Sequence, residues 1–102
     1  MYLVDDGIHR CLNAWHLGKV TIRARLRAHD PPVEVPLTQI VSRKNADDVS
    51  PERLRHHLAL ARQGRTAAPI SVQPCDDIAR PEWAGYPVIP KLYSDVKILP
   101  DG

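Results

Sequence analysis

LVDDGIHRCLNAWHLGKV, residues 3–20, changes its period part-way along. Leu3 and Val4 open a short extended segment over residues 2–5, which ends at the Asp6-Gly7 turn. From Ile8 onward the apolar residues Ile8, Cys11, Leu12 and Trp15 recur at the i, i+3, i+4, i+7 spacing of one helix face. Gly18 then stops the helix. A strand is thus delivered through a glycine turn directly onto a helix. His9 and Arg10 lie in that helix's first turn, where the macrodipole prefers acids.

On either side the patterning predicts an α+β fold, a small mixed sheet with two main helices. VTIRARLRA (20–28) alternates strictly, with Val20, Ile22, Ala24, Leu26 and Ala28 on one side and Thr21, Arg23, Arg25 and Arg27 on the other. Asp30-Pro31-Pro32 breaks this strand, and VEVPLTQI (33–40) begins another extended segment. Residues 50–63 carry the clearest helix signal: Ser50 as N-cap, Pro51 in the first position, Glu52 at the positive end of the dipole. Leu54, Leu58 and Ala61 form its apolar stripe, and Gly64 ends it. APISVQP (68–74) reads as a short buried strand. Residues 74–102 are proline-rich, with strand-like pieces at Val88-Ile89 and Val96–Leu99, and the closing KILPDG echoes the opening YLVDDG.

The 102 residues suit one domain, 1–102, with one modest core. At 43% hydrophobic and 25% charged the chain is ordinary for a globular protein and wrong for a disordered one. Without Phe, the interior must be filled by Leu, Val, Ile and the two Trp. A net charge of +2 is too small to argue for wholesale nucleic-acid binding. No stretch approaches a membrane span, and no basic-then-apolar leader opens the chain. Cys11 and Cys75 allow one disulfide at most, and reduced thiols in the cytoplasm are the expectation.

The Gly7 turn has the chemistry of an anion site. Glycine lets the backbone approach a ligand, the first helical N–H groups are free, and the dipole favours negative charge. A phosphate would also relieve the conflict of placing cations there, with Arg10 and His9 donating to it. Asp6 could orient His9 or hold Mg²⁺ on a nucleotide. The same residues also suit a plain connection in which Asp6 caps the helix and Arg10 is solvated.

DGIHRCLNAWHLG resembles the signature of the ParB/sulfiredoxin superfamily, in which a strand delivers a DG-x-H-R or G-x-H-R turn onto a phosphate-binding helix. A second block, VPLTQIVSRKNADDVSPERLRHHLALARQGRTAAPISV, is similar to that family's opening VP-x-x-x-I strand, its P-x-K/R helix start and its PI-x-V strand. In the family the second block comes first. The chain therefore resembles a circular permutation: a strand–turn–helix–strand block at 2–28, the VP…PISV block at 33–73, then the segment 74–102 supplying a closing strand near residues 2–5.

The resemblance implies binding of a nucleotide or phosphorylated small molecule, with triphosphate hydrolysis or phosphoryl transfer as the associated chemistry and Mg²⁺ accompanying a nucleotide. It implies phosphate contacts from Gly7, Ile8, His9, Arg10, Arg53 and, within one position, Arg43. Asp6 and His9 are the catalytic candidates, with Glu34 and Asp48 as further candidate bases. Ile8 stands where sulfiredoxins carry their reactive cysteine, which argues against sulfur chemistry. Centromere binding is likewise disfavoured, because the downstream helix-turn-helix of ParB proteins is missing from this sequence.

No H-x-x-x-H or C-x-x-C occurs, so no protein metal site is expected. The Arg23, Arg25, Arg27 row leaves open a nuclease or DNA-binding module, although an ordinary charged outer face explains it better. A non-catalytic interaction domain, toxin–antitoxin-like or a strand-exchanged homodimer, is the other alternative.

Overall fold

The computed structural model describes residues 1–27, 29–65, 68–74 and 81–96. The elements run β1 (Tyr2–Asp6), α1 (Ile8–His16), β2 (Thr21–Arg25), β3 (Val33–Pro36), β4 (Ile40–Val41), α2 (Pro51–Arg62), β5 (Ile70–Pro74) and α3 (Ile89–Asp95). The fold is α+β, with a five-stranded mixed sheet in the order β3-β2-β5-β1-β4. β1 runs parallel to β4 and antiparallel to β5, while β2 runs parallel to β5 and antiparallel to β3.

VEVPLTQI does not form one extended segment. It divides into β3 and β4, separated by a single 3₁₀ turn at Leu37–Gln39, and the two strands lie at opposite edges of the sheet. The four Cα steps from Pro36 to Ile40 reach at most about 14 Å, whereas four flat inter-strand gaps would need about 19 Å. The sheet must therefore curl so that its edges approach. Val35, Leu37 and Ile40 are buried at that closure, all at or below 1% exposure.

The main core lies between the sheet and the helices, from Val4, Ala24, Ile70 and Val72 on the strands to Cys11, Leu12, Leu54 and Leu92 on the helices. Leu3 points the other way and joins Val41 and Trp83 in a second, smaller cluster. Both faces of β1 are thus covered at its start, which accounts for the unbroken Leu3-Val4 pair.

Helix ends follow the sequence signals closely. Ser50 Oγ accepts the Arg53 N–H at 3.3 Å, and Pro51 opens α2. At the other end Gly64 N–H donates to the Ala61 carbonyl and Arg65 N–H to that of Leu60, a Schellman closure that α1 repeats at Gly18 and Lys19. Ala61, expected in the apolar stripe, is exposed, and Leu60 is half-buried instead. Val20, expected on the buried side of β2, is 72% exposed, because the strand begins only at Thr21.

The expected strand at Val88-Ile89 is corrected. Val88 makes one antiparallel bridge with Val41, and Ile89 starts a third helix, α3. Ile89, Leu92 and Val96 bury along one side of it, and Pro90 sits in its first turn, where a missing N–H costs nothing. Val96 follows α3 as its C-cap rather than opening a strand. The remainder of the 96–99 segment, with Cys75 and Ala28, lies outside the described residues. Among the described residues no helix is long and apolar enough to cross a membrane.

Candidate functional site

The end of β1 sets the site. Register slips by one residue between Val4, which faces Val72, and Asp6, which faces Ser71, so β1 carries an extra residue just before Gly7. Such a bulge bends a strand and re-aims the chain beyond it. Gly7 then takes φ +119° as the N-cap of α1, and a Cβ there would run into the Ile70 side chain. The turn needs glycine on both counts, conformation and space. No side chain caps α1, so Asp6 does not play that part. The first helical bond is Cys11 N–H to the Gly7 carbonyl, which leaves the amides of Ile8, His9 and Arg10 without intrahelical partners.

These residues line a cleft of about 390 Å³. Arg43, Lys44, Arg53 and His57 come to it from the β4–α2 connection and from α2. Val4, Ile8, Leu60 and Ala68 supply apolar wall. All six residues expected to contact phosphate, Gly7, Ile8, His9, Arg10, Arg43 and Arg53, therefore border one cavity. Four cationic side chains (Arg10, Arg43, Lys44, Arg53) face two carboxylates there, Asp5 and Asp6, so the lining is net positive.

Arg10 is partly engaged by the protein itself. Its Nη1 donates to the carbonyls of Ala68 at 2.6 Å and Pro69 at 3.2 Å, and its Nη2 lies 3.2 Å from Asp6 Oδ2. Its guanidinium thus ties α1 to the approach of β5. Asp6 orients Arg10, not His9, and Asp5 is held by Gln73 at 2.8 Å and by Arg43 at 3.8 Å.

His9 joins the two helix starts. Its Nε2 accepts the Ser50 N–H at 3.0 Å, so the ring proton of its neutral form belongs on Nδ1. Burial holds its pKa below the ordinary histidine value, assisted by Arg53, His57 and Lys44. The catalytic role expected of His9 has to coexist with this structural bond. Asn13 makes a second tie, donating from Nδ2 to the Leu54 carbonyl at 3.0 Å.

Sequence reasoning placed neither Lys44 nor His57 in this cleft, and of the two His57 is the residue on α2. It lies one turn after Arg53, on the same side of α2, and its ring stacks on His9 with centroids 6.5 Å apart and planes 23° from parallel. The spacing Arg53–His57 (i, i+4) was the signal that could have found it. Burial lowers its pKa, followed by Arg10, His56 and Arg53, while Asp6 opposes the shift.

Neither further candidate base is in the cleft. Glu34 is exposed on β3 opposite Arg23, and Asp48 Oδ2 accepts the Asn45 N–H at 3.1 Å in a capping box of its own turn. Cys11 is fully buried, and burial pushes its thiol up to about 12, the wrong direction for a nucleophile. Among the described residues no cluster of His, Cys, Asp and Glu could hold a metal ion, and Asp5 and Asp6 are both engaged by protein cations. A Mg²⁺ at this cleft would have to arrive on the phosphates of its nucleotide.

Comparison with family models, with curated proteins and with solved structures returns no match for this chain.

Proposed function

We propose that the cleft at the start of α1 binds a nucleotide or another phosphorylated small molecule. One observation carries this reading: segments far apart in sequence bring Arg10, Arg43, Lys44 and Arg53 around a helix N-terminus whose first amides have no intrahelical partner. Convergent amides and fixed cations in a concave site are what an oxyanion needs. Triphosphate hydrolysis or phosphoryl transfer fits the same site, since such catalysis is mostly positioning and charge neutralisation. The permuted ParB/sulfiredoxin-like arrangement is part of the proposal. Its support is the antiparallel pairing of β2 with β3, the junction at which a permutation would have joined the family's ends. A cytoplasmic setting, where nucleotides abound, accords with it.

The arginine strand is a weaker alternative. Arg25 Nη1 donates to the Asp30 carbonyl at 2.7 Å, and Arg23 stands in register opposite the acidic Glu34, so the row is neither uniformly free nor flanked by basic neighbours alone.

Calorimetric titration with the common nucleoside triphosphates, with and without Mg²⁺, tests the proposal. Arg53→Ala should weaken binding by about 1.5–3 kcal/mol, the worth of a charge-assisted hydrogen bond. Equal affinity in wild type and variant, or no binding by either, would remove the site from this cleft.

A further inference from the structure

The two stacked histidines of the cleft have different freedoms. His9 is 6% exposed and its Nε2 is occupied by the Ser50 N–H, so protonating that atom would destroy the bond between the two helix starts. His57 is half-buried, lines the cavity wall and stands between Arg10 on α1 and Arg53 on its own helix.

We propose that His57 is a proton-linked ligand contact: an anion seated among Arg10, Arg53 and His57 draws a proton onto the His57 ring and accepts a hydrogen bond from it. This rests on the reading of the cleft as an anion site.

The charges around His57 make the coupling. Arg10 and His9 face it from α1, Asp6 from the end of β1, and Arg53 and His56 from α2; Arg43 and Lys44 line the same cavity. Without a ligand these groups are predominantly cationic, and together with burial they favour the neutral ring. A dianion in the cleft offsets the net positive charge of that lining and adds a hydrogen-bond acceptor beside the ring, so the protonated ring becomes the favoured partner. By linkage the effect is reciprocal: protons must tighten the anion as much as the anion tightens the proton. His9 does not share this behaviour, because its acceptor atom is already used inside the fold. The favoured ligand is therefore a doubly charged oxyanion, and as long as it keeps both charges it is held more tightly on the acid side of neutrality.

Sulfate is the appropriate probe, because it stays a dianion across the range in which histidine titrates, whereas phosphate changes its own charge there. Sulfate affinity would be measured by calorimetry at constant ionic strength from about pH 8 to about pH 5.5, a range that brackets the ordinary histidine pKa. Wild type should bind about fivefold or more tightly at the acid end, the lower end of an ordinary coupling between two ligands. His57→Gln should bind sulfate across the whole range no better than wild type does at the alkaline end, and so lose that pH dependence. In wild type the His57 ring resonances should titrate at higher pH with sulfate present than without it, a readout that does not rely on the variant folding. Binding that stays steep with pH in His57→Gln, or a His57 titration indifferent to sulfate, would overturn the role of His57 alone. Failure of wild type to bind sulfate at any pH would overturn the reading of the cleft itself, and this inference with it.

Discussion

His9 shows how one side chain can belong to the architecture and to the site at once. Its Nε2 satisfies the amide of Ser50, the N-cap of α2, while its ring forms the floor on which His57 stacks. His9→Phe keeps a ring but removes the acceptor, and should cost about 1–3 kcal/mol in urea unfolding, the usual penalty for an orphaned donor. Gly7 should be less forgiving. Gly7→Ala combines a strained φ, costing about 1–3 kcal/mol, with a collision against Ile70 that adds a penalty of similar size. At this scale the sequence was legible where a residue type has one physical reason to be present, as with Gly7 or the Ser50-Pro51 cap. It was opaque for His9 and His57, because a histidine's use depends on which backbone group or ring faces it, and that comes from distant segments.

At the scale of elements, α1 and α2 lie alongside each other from their N-termini, tied at His9–Ser50 and one turn on at Asn13–Leu54, and Arg10 and Arg53 should behave differently. Arg10 holds the carbonyls ahead of β5, so Arg10→Ala should lower stability by about 1–3 kcal/mol as well as weaken the ligand. Its exposed contact with Asp6 contributes little to that figure. Arg53 is exposed, and Arg53→Ala should leave stability within about 0.5 kcal/mol while weakening the ligand. If both touch one ligand, a double-mutant cycle on affinity should show a coupling of about 0.5–3 kcal/mol, and strictly additive losses would separate them. The periodicity of α1 and the caps of α2 were readable because they are local. α3 was not, since its buried apolar residues Ile89 and Leu92, with the C-cap Val96 after them, are too few to mark a helix face within a proline-rich segment.

For the whole molecule, the parallel pairing of β4 with β1 is what brings the loop carrying Arg43 and Lys44 alongside the Gly7 turn. Sequence periodicity cannot show this, because a strand's pattern reports its faces and not its neighbours; the split of VEVPLTQI into two opposite edge strands was invisible for that reason. The fold should also respond to acid. His9 and His57 both have folded pKa values below the unfolded value, so the unfolded chain binds more protons. Their contribution to stability is therefore present above about pH 6.5 and lost as pH falls towards the depressed folded values. Melting temperature should drop on acidification, and His9→Phe should flatten that drop.

Whether the α1 N-terminus receives the phosphates of a ligand can be read by following backbone amide resonances during titration with a nucleoside triphosphate. Ile8, His9 and Arg10 should shift most, together with Arg53 and Lys44 around the same cleft. Unmoved amides at Ile8–Arg10, or shifts gathered instead on Arg23, Arg25 and Arg27, would contradict a phosphate site at this helix start.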